Sequence, residues 1–86
     1  MEYIITFKNT KFAIKAERCL LERKLQAGVL PLPPQISAGC GICLRVNQDE
    51  IEPALNALAD ESIDEIVLFS RIIKNDQFVY THERNG

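Results

Sequence analysis

The stretch Val29-Leu30-Pro31-Leu32-Pro33-Pro34-Gln35-Ile36-Ser37-Ala38-Gly39-Cys40-Gly41-Ile42-Cys43-Leu44-Arg45-Val46 decides the architecture. Val29 to Leu32 is a short apolar run that reads as a strand, weakened at its end by Pro31 and by Pro33-Pro34. Ile42 to Val46 alternates, with Ile42, Leu44 and Val46 on one face and Cys43 and Arg45 on the other. Between them, prolines, Ser37 and two glycines around a cysteine predict an irregular loop. Two strands thus follow each other with no helix between them. Such a pair belongs in an antiparallel sheet, not in a run of parallel βαβ units.

Working outward from this pair, Tyr3-Ile4-Ile5-Thr6-Phe7 is β-branched and aromatic and predicts a first strand. Thr10 is then expected as the N-cap of a helix running from Lys11 to about Leu25. Phe12, Ala13, Ala16, Cys19 and Leu20 share its core face, while Ile14, Leu21 and Leu25 form a second stripe nearly opposite. Gly28 is placed to supply a positive φ after the helix. On the other side, Asn47 and Glu50 read as a capping pair for a second helix, whose buried face is Ile51, Leu55, Leu58 and Ala59. Pro53 lies in the tolerated early turns. Ile66 to Phe69 is a fourth strand. Arg71–Lys74 and Gln77–Tyr80 then flank a hairpin turn at Asn75-Asp76, and the residues from His82 are expected to fray.

The resulting order is strand, helix, strand, strand, helix, strand. It predicts an α+β fold: a ferredoxin-like βαββαβ two-layer sandwich, with a four-stranded antiparallel sheet and both helices on one face. Residues 1–71 are expected to form this one domain, and residues 72–86 a C-terminal strand or hairpin appendix with mobile last residues. Such a fold hosts many functions and identifies none.

Composition narrows the class. With 86 residues, 47% of them apolar and 26% charged, the chain has room for one globular core. No stretch approaches the roughly 18 consecutive apolar residues of a membrane span. Met1-Glu2-Tyr3-Ile4-Ile5 lacks the basic start of a secretory signal. Three cysteines, an odd number, fit a reducing compartment. These features predict a cytoplasmic protein. The net charge of −2 argues against nucleic acid as a partner. It is unevenly spread, +4 over residues 1–45 and −6 over residues 46–86, which suits association of opposite surfaces.

Catalytic equipment is scarce. The one histidine, His82, lies in the tail, and no P-loop, dinucleotide fingerprint or aromatic nucleic-acid stripe is present. Cysteine is what remains. Cys19 sits on the core face of the first helix and reads as a packed thiol. Cys40 is flanked by Gly39 and Gly41, which leave it unshielded and let the backbone turn tightly. Successive N–H groups in such a turn can form an anion-binding concavity that favours a thiolate. A turn cysteine without a role is the other reading, and the residues leave both open. Cys40-Gly41-Ile42-Cys43 is also a C-x-x-C, but it opens a strand, whose alternation separates the side chains. A metal site is not expected, since four soft ligands are usual and three cysteines exist.

Two blocks carry a resemblance. Thr6-Phe7, then Thr10-Lys11-Phe12-Ala13-Ile14-Lys15-Ala16-Glu17 and Leu20, resembles the opening of the selenium/sulfur (Se/S) carrier protein-like family, small bacterial domains. Pro31-Leu32-Pro33, Ile36-Ser37, Cys40-Gly41 and Arg45 resemble that family's proline-rich loop leading to Cys-Gly and a strand. The likeness covers roughly residues 3 to 70. It implies that Cys40 is a carrier thiol holding sulfur or selenium as a persulfide or selenosulfide. It further implies support from Ser37, Gly39, Gly41 and Arg45, with sulfur or selenium donor and acceptor proteins as partners. Pro34 departs from a usual basic residue, Gly39 from a common serine, and Cys43 from a small apolar residue.

A carrier needs an accessible thiolate and no general base, cofactor or metal of its own. The same scarcity suits a non-catalytic binding or regulatory module, in which the loop is only a turn. A third reading is a thiol-disulfide redox protein using Cys40 and Cys43. Cys40 is expected to be the most reactive thiol and to form no disulfide with Cys43. Ile14, Leu21 and Leu25 suggest a homodimer through the first helix, the tail or both, unless the tail folds back to cover them.

Overall fold

A computed structural model of the protein describes residues 1–37 and 39–85. Ala38 of the predicted loop and Gly86 of the predicted appendix lie outside the described residues. The elements run β1 (Glu2–Phe7), α1 (Thr10–Glu22), β2 (Ala27–Pro31), β3 (Ile42–Asn47), a 3-10 turn (Gln48–Glu50), α2 (Ile51–Asp60), β4 (Ile66–Lys74) and β5 (Gln77–Asn85). They build one antiparallel sheet in the order β2-β3-β1-β4-β5, with two helices. The crossover from β1 to β2 straddles β3, and that from β3 to β4 straddles β1. This is an α+β architecture consistent with a ferredoxin-like sandwich.

The strand count differs from the expected four. β4 continues past the predicted boundary at residue 71 to Lys74, and β5 pairs along it as a fifth strand of the same sheet. Residues from His82 do not fray into irregular chain: His82 faces Phe69 across the ladder, and Arg84 faces Leu68. The turn at Asn75-Asp76 is present, with φ of +53° and +62°. Positive φ at both central residues is what a two-residue hairpin turn requires if it is to match the twist of its strands.

Helix ends depart from the sequence reading for a common reason. The α1 N-cap is Asn9, whose Oδ1 accepts from the Phe12 N–H at 3.0 Å; Thr10 is the first helical residue. Gly28 lies inside β2, and the left-handed residue after α1 is Lys24, φ +62°. Leu25 N–H reaches the Leu20 carbonyl at 2.9 Å, and Lys24 N–H reaches Leu21 at 3.0 Å. α2 ends the same way around Ser62, φ +59°, with Ile63 N–H on Leu58 at 2.9 Å and Ser62 N–H on Ala59 at 3.0 Å. Both ends are Schellman motifs whose following hydrophobic residue turns inward. Ile63 is buried and Leu25 packs against the core, so Leu25 is not part of an outward stripe. At the start of α2, Asn47 makes no side-chain cap bond, and the Glu50 carboxylate accepts from the Gln26 N–H at 3.3 Å instead.

The helix side of the sheet holds the main core: Ile5 and Phe7 from β1, Leu44 and Val46 from β3, Leu68 from β4, with Ala16 and Leu20 of α1 and Leu58 of α2 above them. On α2, Ala54 and Ala57 are buried, whereas Ala59, expected inside, is exposed. Ile14 and Leu21 of α1 are half exposed, so the tail does not cover them. The face away from the helices carries a second, smaller core, Ile4, Cys43 and Ile36, bordered by Leu30, Leu32, Phe69 and Tyr80. No helix is long and apolar enough to cross a membrane, among the described residues.

Candidate functional site

The β2–β3 connection is a closed excursion. β2 and β3 pair as far as Pro31 opposite Ile42, and the Leu32 N–H then donates to the Gly41 carbonyl at 2.9 Å. Within it, the Ile36 N–H donates to the Pro33 carbonyl at 3.0 Å, a turn that Pro33-Pro34 pre-shapes by fixing φ. Ile36 is thereby pressed into the helix-free face over Ile4 and Cys43, with 4% of its surface exposed. An isolated isoleucine among prolines and polar residues was the sequence signal for this anchor, and it was missed.

Gly39 and Gly41 have φ of +110° and +97°, values that residues with a side chain rarely adopt. Gly39 has a second constraint. A Cβ there would stand 3.3 Å from Thr6 Cβ and 3.6 Å from the Phe7 carbonyl oxygen, so the loop lies flush on the end of β1. Around Gly41 a Cβ would meet nothing, and its requirement is φ alone. Cys40 is held between these two points. It is half-buried, rests against the helix-side core, and its thiol donates to the Ile42 carbonyl at 3.7 Å.

The other two thiols are different. Cys19 is 6% exposed on α1, its Sγ donating to the Ala57 carbonyl at 3.6 Å, and burial pushes its pKa up. Cys43 is fully buried, its Sγ donating to the Pro31 carbonyl at 3.8 Å; burial pushes its pKa up, with Arg71 partly opposing. A raised pKa and little or no solvent contact make a poor nucleophile. All three cysteines are free, and the C-x-x-C divides between the two sides of the sheet: Cys40 on the helix-side core, Cys43 on the smaller one. This is the separation that strand alternation predicts.

Ser37 is exposed beside the turn. Arg45 lies elsewhere. Its guanidinium donates to Glu2 Oε2 at 2.9 Å and Asn47 Oδ1 at 3.2 Å, opposite Gly28 on β2. Glu2 is shared with Arg71, whose Nε donates to Glu2 Oε1 at 3.0 Å. The Arg71 guanidinium beside it, chiefly, and Arg45 as well, hold the Glu2 carboxyl below the usual range, against a smaller opposing effect of burial. This cluster joins β1, β3 and β4 and was not foreseen, because its members are 43 and 69 residues apart. His82 packs edge-on against Phe69, with ring centroids 5.6 Å apart. Among the described residues, no three His, Cys, Asp or Glu side chains are grouped so as to hold a metal ion.

Residues 2–68 match the model of a protein family described as "Putative Se/S carrier protein-like". No curated protein matches the chain, and no solved structure does.

Proposed function

The chain belongs to the Se/S carrier protein-like family, and on that premise we propose that it carries sulfur or selenium on Cys40 as a persulfide or selenosulfide. The observation that supports this reading is the contrast among the thiols: Cys40 is partly open, while Cys19 and Cys43 are buried with raised pKa values. Loading is a sulfane transfer. The Cys40 thiolate attacks the outer sulfur of a donor persulfide, the new S–S bond forms, the donor S–S bond breaks, and the donor leaves as a thiolate. Selenium is carried in the same way, as a selenosulfide. The proton lost by Cys40 goes to solvent, and the weak bond to the Ile42 carbonyl is given up. Discharge repeats the exchange with an acceptor's nucleophile. The chain supplies a pinned, reachable sulfur, while donor and acceptor proteins supply the chemistry. We place this exchange in the cytosol, where the thiols stay reduced.

Intact-mass measurement after incubation with a cysteine desulfurase and cysteine tests the reading. The expected product gains one sulfur atom, loses it to dithiothreitol, and does not form in Cys40→Ser. Cys19→Ser and Cys43→Ser load normally. Loading that survives in Cys40→Ser overturns the assignment. No loading from persulfide or selenosulfide donors leaves a binding module as the better account.

A further inference from the structure

The two edges of the sheet are β2 and β5, and they are finished differently. β2 has five residues, contains Gly28 and ends at Pro31, so little of its outer edge can accept another strand. β5 has nine residues and, among the described residues, no strand beyond it. Its charged residues, Glu83 and Arg84, cluster at the far end, where a bulge opposite Leu68 and Phe69 interrupts the ladder and the Ser70 hydroxyl donates to the Glu83 carboxylate at 2.7 Å. Gln77-Phe78-Val79-Tyr80-Thr81 is uncharged, regularly paired with β4 and rich in strand-forming residues. The hairpin is apolar on both faces here: Ile72, Ile73, Phe78 and Val79 are 43%, 71%, 44% and 39% exposed.

The backbone of this segment is set for an antiparallel partner. Lys74 and Gln77 close the two-residue turn as a hydrogen-bonded pair. Alternation then aims the N–H and C=O groups of Phe78 and Tyr80 away from β4. The segment is also complementary to itself. With a two-fold axis at Val79, Phe78 faces the partner's Tyr80, Gln77 faces the partner's Thr81, and Val79 faces the partner's Val79. The same axis brings the Asp76 carboxylate toward the partner's His82 imidazole. Aromatic meets aromatic on one face, and the outward backbone groups of Phe78 and Tyr80 exchange both bonds with the copy. Arg71, stacked 4.1 Å over the Phe78 ring, holds that ring in place on its own chain.

We infer that β5 is a self-association edge: two copies pair antiparallel through Gln77–Thr81 about a two-fold axis at Val79, giving a continuous ten-stranded sheet. The occupant is a second copy because this register matches the segment to itself in hydrophobicity, in hydrogen bonding and at Asp76–His82. The surface is independent of Cys40. Ile14 and Leu21 on α1 remain a separate patch, and the test distinguishes the two.

Light scattering across the micromolar range should give twice the mass of the chain. Val79→Lys places two ammonium groups on the axis and should give a monomer with an unchanged circular-dichroism spectrum, while Leu21→Glu stays dimeric. Antiparallel residues at a non-hydrogen-bonded site have Cα atoms about 4.5 Å apart, within disulfide reach. Val79→Cys in a Cys40→Ser background should therefore oxidise to a covalent dimer, read on a non-reducing gel. A parent that is monomeric throughout the range overturns the inference. So does a dimer lost in Leu21→Glu and kept in Val79→Lys, or a Val79→Cys chain that stays monomeric under oxidation.

Discussion

The sheet buries side chains on both faces, but by different means. On the helix side, two amphipathic helices with regular internal hydrogen bonds and Schellman ends cover Ile5, Leu44 and Val46. On the other side, a ten-residue excursion closed by Leu32 and Gly41 covers Ile4 and Cys43 with Ile36, flanked by Leu32. Both cores are buried, yet opening the first means undocking a helix, whereas opening the second means lifting a turn. Burial alone does not measure how securely a group is kept from solvent; the covering element does. Cys40 sits where the excursion returns to the sheet, resting against the secure face.

The largest effect that breaks this comparison is on the helix side. Leu44→Ala, at a fully buried position, should cost about 2–5 kcal/mol of global stability, read as a lower urea midpoint with an unchanged slope. A loss below about 1 kcal/mol would show that the helix layer closes over cavities as easily as a loop does. Next, Ile36→Ala should lower the midpoint by less than Leu44→Ala, because a surface turn can settle into the space. It should also raise the alkylation rate of Cys43 by about tenfold, while that of Cys19 stays put. Equal acceleration at both thiols would mean that the second core opens only by global unfolding.

The smallest effect is electrostatic and confined to the helix-free face. The folded Glu2 carboxyl titrates below its ordinary value of about 4.5. Its contribution to stability is therefore complete above that value and is lost as pH falls through the folded pKa. Glu2→Gln should lower the melting temperature at neutral pH and flatten the fall in acid. Parallel acid profiles for parent and variant would show that the two guanidiniums do not act through this carboxylate.

The alternating and periodic segments were readable because each announces its own conformation through its local pattern of apolar residues. β1, β3 and the core stripe of α1 followed from local pattern, as did the turn at Asn75-Asp76 and the division of Cys40 from Cys43. What failed was decided by tertiary context. Lys24 and Ser62 take left-handed caps because Leu25 and Ile63 behind them gain burial, and neither carries the glycine signal. The extent of β5 depends on β4 lying beside it. His82 to Asn85, polar and charged, give no strand signal of their own. The family resemblance implied that Arg45 supports the loop. Its partners, Glu2 and Asn47, lie across the neighbouring strand and two residues along its own, on the face away from the core against which Cys40 rests.

β1 occupies the centre of the sheet, yet of the five strands it is made first. Its neighbours are far along the chain: Glu2 faces Asn47 on one side and Arg71 on the other. At translation rates of about 5–20 residues per second, its second neighbour is completed on the order of 3–14 s after β1 itself. Ile4 and Ile5, which end with no surface exposed, lack the cover of that second neighbour throughout the interval. A topology in which central pairing waits on distant segments also folds slowly for its size, because loop closure precedes any gain from contact. The strand at the centre of the finished sheet is therefore one whose apolar residues wait for their full cover while the chain is being made.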